Sequence, residues 1–327
     1  MVESLMRTVW QEQTYQNYLR AYKAGQLGHA QLLTGPAMLG KHEVAETLAK
    51  RILCLQATIE DYACSQCQSC HRFEQGTHGD LKIITLTVNE KTGKLRTEIT
   101  VDQIRELNEW LCLTSQLGKA QFAIIRNAHQ LNRNAANALL KSLEEPNPNR
   151  FVFVVTDQAF YLPATIRSRC QRTEIALPDT QTALQWLQTQ GLSIDEAASL
   201  LPLASGNPGL AKSWHDLDGM NIYQQVRADL MASFKGQAGA SELSKKWLND
   251  EHSALRMNFA AQIAYGMAKK WAFDTNTAQT STNSMAKLQE WIDAMNRLRL
   301  SLSQPLRHDL SLAGLFYDWH QLFAGSR

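Results

Sequence analysis

Short apolar runs alternate with helically spaced apolar residues through the first half of the chain. The segments of strand length are "HAQLLTGP" (29–36), "LKIITLTV" (81–88), "QFAIIRNAH" (121–129) and "RFVFVVTD" (150–157). The segments with apolar residues three or four positions apart are 41–54, 101–113 and 132–146. The first set predicts buried strands and the second predicts amphipathic helices. Their alternation predicts an α/β domain with a mainly parallel sheet that helices cover on both faces.

Turn and capping residues set the expected boundaries of several of these elements. The segment "RTEITV" (96–101) follows 81–88 after the turn "NEKTGK", so the two are expected to form a hairpin. Asp102 is expected to cap the N-terminus of the next helix. Pro146 is expected to end the helix at 132–146, because proline cannot continue a helical hydrogen-bond pattern.

Strand signals disappear after about residue 178. Short helical patterns follow, interrupted by Gly191 and by the glycine- and proline-containing stretch 206–209. From about residue 217 onward the pattern is helical only, and the candidate long helices are 253–273, 285–302 and 309–324. The sequence therefore predicts an α/β domain at 1–168, a small helical domain at 169–216 and an all-α C-terminal domain at 217–327.

The composition is that of a folded protein with no membrane span. The 327 residues are 44% hydrophobic and 20% charged, and the formal net charge is +2, so no overall basic field indicates nucleic acid. No run of about 18 apolar residues occurs, and the N-terminal "MVESLMRTVWQEQ" lacks the apolar core of a signal peptide. We therefore expect a cytoplasmic location.

Four cysteines lie close together in the sequence, at Cys54, Cys64, Cys67 and Cys70. Four thiolates complete a tetrahedral Zn²⁺ shell and leave no open position, so the spacing predicts a structural zinc module at about 54–70. An iron–sulfur cluster and four unliganded thiols are the alternatives. Arg72 is the only nearby cation, which favours a stabilising or protein-contacting module over a DNA-binding one.

The stretch "GPAMLGKH" (35–42) differs in its last residue from the phosphate-binding pattern G-x-x-x-x-G-K-[ST]. Gly35, Gly40 and Lys41 match that pattern, and His42 replaces the hydroxyl residue that would bind Mg²⁺. The stretch lies between a predicted strand and a predicted helix, which is the context of a true phosphate loop. The alternative is an unrelated turn.

Hydrolysis also needs an acidic pair after a neighbouring strand, to hold Mg²⁺ and to polarise the attacking water. Arg126 and Asn127 occupy those two positions after "FAII". Together with His42, three groups required for metal-assisted hydrolysis are missing. We therefore expect a nucleotide-binding fold without hydrolytic activity, in a pocket with no anionic group for a divalent cation. Residual ATP binding through Lys41 is left open.

Three stretches together resemble the AAA+ clamp-loader family: "LGHAQLLTGP" (27–36), "NAANALLKSLEEP" (134–146) and "LPATIRSRC" (162–170). Bacterial members of that family share the four-cysteine pattern, whereas the lost acidic pair separates members without ATPase activity. The resemblance covers about the first 210 residues. It implies an AAA+ P-loop sheet domain with an inserted zinc module, a helical lid domain and a C-terminal helical collar domain.

The resemblance also implies roles for individual residues. In this family the S-R-C motif carries an arginine finger, which here is Arg169 after Ser168, directed at the ATP site of a neighbouring subunit. The polar residue that senses the γ-phosphate matches Thr156. The lid arginine of the active members falls at Gly209, which would be a fourth loss from the ATP site.

The function that follows from the resemblance is that of a non-hydrolysing clamp-loader subunit in DNA replication. The implied partners are the gamma/tau ATPase subunits and the delta subunit of a hetero-pentameric DNA polymerase III clamp loader. The sliding clamp and primer–template DNA would be contacted through the complex. The competing hypotheses are a self-sufficient AAA+ ATPase in recombination or repair and a zinc-dependent DNA-binding protein.

Overall fold

The computed structural model describes residues 8–56, 62–89, 92–145, 147–273, 282–302, 304 and 306–324. The chain divides into two compact units, one made of Met1–Ala197 with Ala204–Leu210 and the other of Ala198–Leu203 with Ala211–Arg327. The expected stop at Pro146 lies outside the described residues. The finer division at 168/169 and 216/217 stays a prediction.

A parallel sheet forms the centre of the first unit. Its strands are β1 (Ala30–Thr34), β2 (Leu81–Ile84), β3 (Gln121–Ile125), β4 (Arg150–Val155) and β5 (Gln171–Glu174). The strand order is β2-β3-β4-β1-β5, and every neighbouring pair is parallel. The predicted α/β architecture is therefore confirmed. β5 is an addition that the apolar pattern did not predict, since its residues are mostly polar and exposed.

Helices bury both faces of this sheet. The helices of this unit are α1 (Val9–Lys23), α2 (Lys41–Leu53), α3 (Gln68–Glu74), α4 (Val101–Cys112), α5 (Arg133–Glu144), α6 (Ala164–Arg167) and α7 (Thr180–Thr189). Alternate residues of β3 and β4 enter two separate apolar clusters, because successive strand side chains point to opposite faces. One cluster includes α1 and α2, and the other includes α4, α5 and α6.

Two expected boundaries differ from the structure. Thr100 caps α4 through a reciprocal capping box with Gln103, so Asp102 is the second residue of the helix and not its cap. The hairpin between 81–88 and 96–101 is reduced to an isolated antiparallel bridge between Val88 and Leu95. β2 itself pairs in parallel with β3, a strand whose five residues are all buried.

The second unit is helical throughout its described residues. Its main helices are α10 (Gly219–Phe234), α11 (Ala240–Leu248), α12 (Ser253–Phe273), α13 (Thr282–Leu300) and α14 (His308–Ala324). The division between the units runs within α8 (Ile194–Leu203) and α9 (Pro208–Asp216). Among all described helices, none combines the length and apolarity that crossing a bilayer requires.

Candidate functional site

The loop between β1 and α2 has the backbone shape of a phosphate loop. Gly35 has φ of +137°, and a Cβ at that position would lie 2.2 Å from the carbonyl oxygen of Ile175. Gly40 has φ of +72° and directly precedes α2, so Lys41 is the first residue of that helix. Both glycines are therefore required by geometry: the first by close approach to the backbone after β5, and both by positive φ.

Lys41 is held by groups of its own chain. Its side chain is only 3% exposed, its Nζ forms an ion pair with Asp157, and the same Nζ donates to the carbonyl oxygen of Pro36 at 2.5 Å. Asp157 lies just beyond the end of β4, two residues after Val155. Asp157 is thus an anionic group of the pocket that the sequence did not single out, and it is paired with Lys41. The expectation that no anion here can seat a divalent cation stays a prediction. The Asp157 carboxylate neutralises the lysine that would otherwise attract phosphate.

A second internal ion pair lies at the end of β3. The Nε of Arg126 donates to Glu46 Oε1 at 2.8 Å, and its Nη2 also pairs with that oxygen. Glu46 belongs to α2, so the pair joins the carboxyl end of β3 to the helix that follows the loop. A cation thus lies at the carboxyl end of β3, and its charge is matched by the carboxylate of Glu46.

A cavity of about 1040 Å³ joins these groups at the carboxyl edge of the sheet. Because β3, β4 and β1 are parallel neighbours, the residues that follow them meet at one edge. The loop residues Gly40, Lys41 and His42, together with Arg126, Asn127 and Asp157, line the cavity. His42 is 44% exposed and lies 3.8 Å from a carboxylate oxygen of Glu43. The tertiary structure therefore brings together the loop and second-strand residues that the sequence singled out.

The first helix fixes the loop from outside. Gln11 Nε2 donates to the carbonyl oxygens of Leu39 and Gly40 at 3.1 and 3.3 Å and to Glu43 Oε2 at 2.9 Å. Trp10 Nε1 donates to the carbonyl oxygen of Leu39 at 3.3 Å. The apolar pattern did not single out this segment, although the spacing of Thr8 and Gln11 is typical of a capping pair at a helix start.

The segment 204–210 packs directly on the loop. A Cβ on Gly209 would lie 1.8 Å from the carbonyl oxygen of Met38, so no larger residue fits there without movement of the backbone. Asn207, which is buried, donates from Nδ2 to the carbonyl oxygen of Ala37 at 2.9 Å. Gly209 is thus a contact residue in this chain as well as the position where active relatives of the family are expected to carry arginine.

Thr156 is buried and its hydroxyl is used within the chain. The backbone N–H of Gln158 donates to its Oγ1 at 3.0 Å, and His129 Nδ1 lies 3.1 Å from the same atom. Burial lowers the pKa of His129, with a further lowering from Lys41 that Asp157 opposes. These contacts are those of a residue that caps its strand. The role of Thr156 as a phosphate sensor stays a prediction, and the neighbouring Asp157 is the group that contacts Lys41.

Arg169 follows the short helix α6 and is partly exposed. Its Nε donates to Glu144 Oε1 at 2.6 Å, its Nη2 lies 2.5 Å from the same oxygen, and its Nη1 donates to the Thr165 carbonyl oxygen at 3.0 Å. Ser168 Oγ, which donates to the Thr165 carbonyl oxygen, lies 3.5 Å from that Nη1. The S-R-C motif itself gave no indication of the partner Glu144, which is 25 residues away in the chain.

The four clustered cysteines form a geometrically suitable metal site. Their sulfur atoms all lie within 4.8 Å of one another, and the Sγ–Sγ distances are 3.5 Å for Cys54–Cys64, 3.9 Å for Cys54–Cys67 and 4.0 Å for Cys64–Cys70. A tetrahedron with Zn–S bonds of about 2.3 Å has edges of about 3.8 Å. The spacing therefore fits one tetrahedral ion. An iron–sulfur cluster would separate the sulfurs further, since its cysteines bind different iron atoms.

Hydrogen bonds anchor this cluster to the sheet. Ser69 Oγ donates to the Leu53 carbonyl oxygen at 2.8 Å and lies 2.9 Å from His78 Nε2, while the N–H of Asp80 donates to His78 Nδ1 at 3.0 Å. His78 is buried, and burial lowers its pKa. Its acceptor at Nδ1 leaves the proton on Nε2, so His78 is a neutral connector between the cluster and β2 and not a metal ligand.

Cys67 shows how the cluster favours thiolate. Burial acts to raise its pKa, but hydrogen bonds from the backbone N–H groups of Cys70 and Leu55 and from neighbouring thiols lower it to about 6. Burial and the neighbouring cysteines raise the pKa of Cys70. Without a bound cation, protons on some of the four sulfurs limit the repulsion between neighbouring thiolates. Binding of a divalent cation would release those protons.

The chain is similar in sequence to known subunits of DNA polymerase III. A family model described as "DNA polymerase III, delta subunit" matches residues 10–179. A DNA polymerase III subunit delta' from Pseudomonas aeruginosa is 36% identical over 68% of this chain and 66% of its own length. The subunit delta' from Escherichia coli K12 is 30% identical over 80% of this chain and 76% of its own length. A solved DNA polymerase III gamma subunit-related protein from Thermotoga maritima matches 93% of this chain and 99% of that chain, with 16% identity and a TM-score of 0.49.

Proposed function

Because the chain belongs to the DNA polymerase III delta' family of clamp-loader subunits, we propose that it helps to load the sliding clamp onto primed DNA. In this role it hydrolyses no ATP itself. It lends Arg169 to the ATP site of a neighbouring gamma/tau subunit. The other partners are the delta subunit of a hetero-pentameric ring and, through the complex, the clamp and DNA. The protein is thus a non-enzymatic part of a polymerase holoenzyme, with a cytoplasmic location.

The internal pairing of Lys41 with Asp157 is the observation that carries the non-hydrolysing role. A working phosphate loop keeps this lysine available for the β- and γ-phosphates and has acids after the neighbouring strand for Mg²⁺. Here a carboxylate occupies the lysine, Arg126 stands at an acid position, and His42 stands in the hydroxyl position. Nucleotide would have to displace Asp157 before it could bind Lys41.

The charge and the accessibility of Arg169 support its proposed role as an arginine finger. A guanidinium stays charged at any physiological pH and can bond two phosphate oxygens, which suits a group lent in trans. The side chain is 36% exposed, whereas Lys41, one of the cations of this chain's own pocket, is buried. Arg169 is therefore more accessible to another subunit than Lys41 is.

The remaining parts of the proposal concern stability and assembly. We assign Zn²⁺ to the four cysteines as a structural ion, because four thiolates leave no coordination position for substrate. The lid and collar domains at 169–216 and 217–327 follow the family pattern. The helices α12, α13 and α14 of the second unit are the proposed collar elements.

The decisive experiment is reconstitution of the chain with gamma and delta subunits, followed by ATPase and clamp-loading assays on primed DNA. We expect Arg169→Ala to lower steady-state turnover about tenfold or more, because arginine fingers contribute at least this much to the site they reach. Arg167→Ala is the matched control. Arg167 lies two residues away, and its side chain makes no hydrogen bond or ion pair within the described residues.

The competing functions give different results in the same preparation. Magnesium-dependent ATP turnover by the chain alone, abolished by Lys41→Ala, would establish a self-sufficient ATPase and refute the proposal. Unchanged turnover and clamp loading with Arg169→Ala would refute the arginine-finger role. Tight DNA binding by the chain alone that weakens steeply with salt would support the zinc-dependent DNA-binding protein.

A further inference from the structure

Glu144 contacts two nitrogen atoms of the Arg169 side chain through one carboxylate oxygen. Both the Nε and the Nη2 of the guanidinium contact Glu144 Oε1, at 2.6 and 2.5 Å. The Thr165 carbonyl oxygen accepts from Nη1 at 3.0 Å. The side edge of the guanidinium is thus occupied by an anion and its third nitrogen by a backbone carbonyl. These contacts fix both the position and the plane of the group.

Glu144 and Arg169 both lie next to helices that pack into the same apolar cluster. Glu144 is the last residue of α5, directly after the buried Leu143, and Arg169 follows α6, whose Ile166 is fully buried. Leu143 and Ile166 belong to one core cluster under the sheet. The separation between the carboxylate and the guanidinium is therefore set by packed helices and not by two mobile loops.

The contacts of Arg169 leave room for a further anion. A guanidinium carries five N–H hydrogens. Glu144 accepts one from Nε and one from Nη2, and Thr165 accepts one from Nη1. Nη1 also donates to Ser168 Oγ at 3.5 Å, so one hydrogen of Nη2 has no acceptor among the described residues. A phosphate oxygen could accept that hydrogen while Glu144 stays bound to the side edge.

A purely stabilising role explains this arrangement poorly. Glu144 is 47% exposed and Arg169 is 36% exposed, and ion pairs of that exposure contribute little to stability. The neighbouring Glu145 and Arg167 have the same charges, and their side chains make no hydrogen bond or ion pair in the described part of the chain. Of the two acids and two arginines, one specific pair is engaged, and it includes the arginine of the S-R-C motif.

We propose that Glu144 is a positioning residue that orients Arg169 for the triphosphate of the neighbouring subunit. This inference rests on the proposed function, because it assumes that Arg169 reaches an ATP site in trans. Glu144 does not touch the nucleotide. It restricts the rotamers of a long side chain before the subunits meet, so that less freedom is lost when the transition state forms.

The test uses the reconstituted complex with ATP and primed DNA. We expect Glu144→Ala to lower kcat about three- to tenfold with little change in the KM for ATP, since a misoriented arginine affects the transition state more than substrate binding. Glu144→Gln keeps an acceptor at the same reach and should retain intermediate activity. Glu145→Ala is the matched control and should leave kcat unchanged. Thermal unfolding of each variant checks that the fold is intact.

A double-mutant cycle separates positioning from other effects. If Glu144 acts through Arg169, then Glu144→Ala lowers kcat in the native background and has no further effect in the Arg169→Ala background. An equal loss in both backgrounds, no loss at all, or an increase in kcat would overturn the inference and leave the role of Arg169 standing. An Arg169→Ala complex with native turnover would overturn the proposed function together with the inference.

Discussion

At the scale of single residues, the cationic side chains of the pocket form ion pairs within the chain. Lys41 pairs with Asp157, and Arg126 pairs with Glu46. The positive charge of each of these side chains is therefore balanced by a carboxylate of the chain itself. Binding of ATP would require an exchange of one anion for another at Lys41, with separation of the existing pair as an added cost.

The buried His78 predicts a pH dependence of stability. Burial lowers its folded-state pKa below the ordinary value of about 6.5, so the unfolded chain binds the proton more readily than the folded one. Stability from this group is therefore complete above about pH 6.5 and is lost as the pH falls below it. His78→Gln should flatten this decline, as measured by urea unfolding between pH 7.5 and 5.5.

The control for this prediction is His71→Gln, since His71 is exposed and lies in the same helix-containing segment. It should leave the pH dependence of the unfolding free energy as in the native chain. An identical slope for His78→Gln and the native chain would show that protonation of His78 does not contribute. Protonation of the cysteines affects all three proteins alike and cancels in the comparison.

At the scale of elements, the loop between β1 and α2 is fixed by contacts from two distant segments. α1 holds its carbonyl oxygens through Trp10 and Gln11, and the segment 204–210 lies against Ala37 and Met38. A phosphate loop normally derives its order from nucleotide as well as from protein. In this chain, contacts from these two segments hold the loop.

Gly209→Ala tests this close contact. The added methyl would lie 1.8 Å from the Met38 carbonyl oxygen, a backbone atom that cannot rotate away. We expect a loss of about 1–3 kcal/mol in the free energy of unfolding, which is typical of overpacking. Gly266→Ala is the control, because its position within α12 has no atom within 4 Å of the new methyl. That change should raise stability by about 0.5–1 kcal/mol. Equal effects of the two changes would contradict the packing argument.

At the scale of the whole molecule, the chain consists of two units with separate stabilising centres. The first contains the sheet and the cysteine cluster. In the second, the buried Asp229 accepts from Trp247 Nε1 at 2.8 Å and from Lys246 Nζ at 2.7 Å, and the Trp247 ring packs edge-on against Phe316 at 4.9 Å. Each unit therefore has its own set of polar contacts beside its apolar core: the cysteine cluster in the first unit and the Asp229 contacts in the second.

We expect two separable thermal transitions, each sensitive to a different change. Removal of the metal by a chelator should lower the midpoint of the first unit's transition, because structural metal binding contributes directly to folding. Asp229→Ala should lower the midpoint of the second unit's transition, with a loss of about 2–3 kcal/mol, because it leaves the buried Trp247 N–H without an acceptor. Calorimetry with metal analysis measures both effects.

Lys246, the half-exposed partner of Asp229, provides the control for the Asp229→Ala experiment. Lys246→Ala removes the ion pair and leaves the Asp229–Trp247 hydrogen bond, so its cost should stay below about 1 kcal/mol. A single transition that both changes shift together would contradict the two-centre interpretation. An unchanged midpoint after complete metal removal would contradict a structural role for the ion.

Much of the first unit follows from the sequence alone. The periods of the apolar residues predicted the strands β1 to β4 and the helices α2, α4 and α5, because burial of one helix face or of a whole strand requires those periods. Local spacing likewise predicted the four-cysteine cluster and the shape of the phosphate loop, since Gly35 and Gly40 are needed for its backbone. Each of these features depends on residues that are close together in the sequence, so it can be predicted without knowledge of the tertiary fold.

The pairings that define the site were decided only by the tertiary structure. Asp157 reaches Lys41, Glu46 reaches Arg126 and Glu144 reaches Arg169 across separations of 116, 80 and 25 residues. A charged residue has no sequence period that indicates its partner, because an ion pair depends on which elements become neighbours in space. The sequence determined which chemical groups are present and which are missing. The fold determined that Lys41 and Arg126, which line the cavity beside the loop, each have a carboxylate partner, and that Arg169 is held by Glu144.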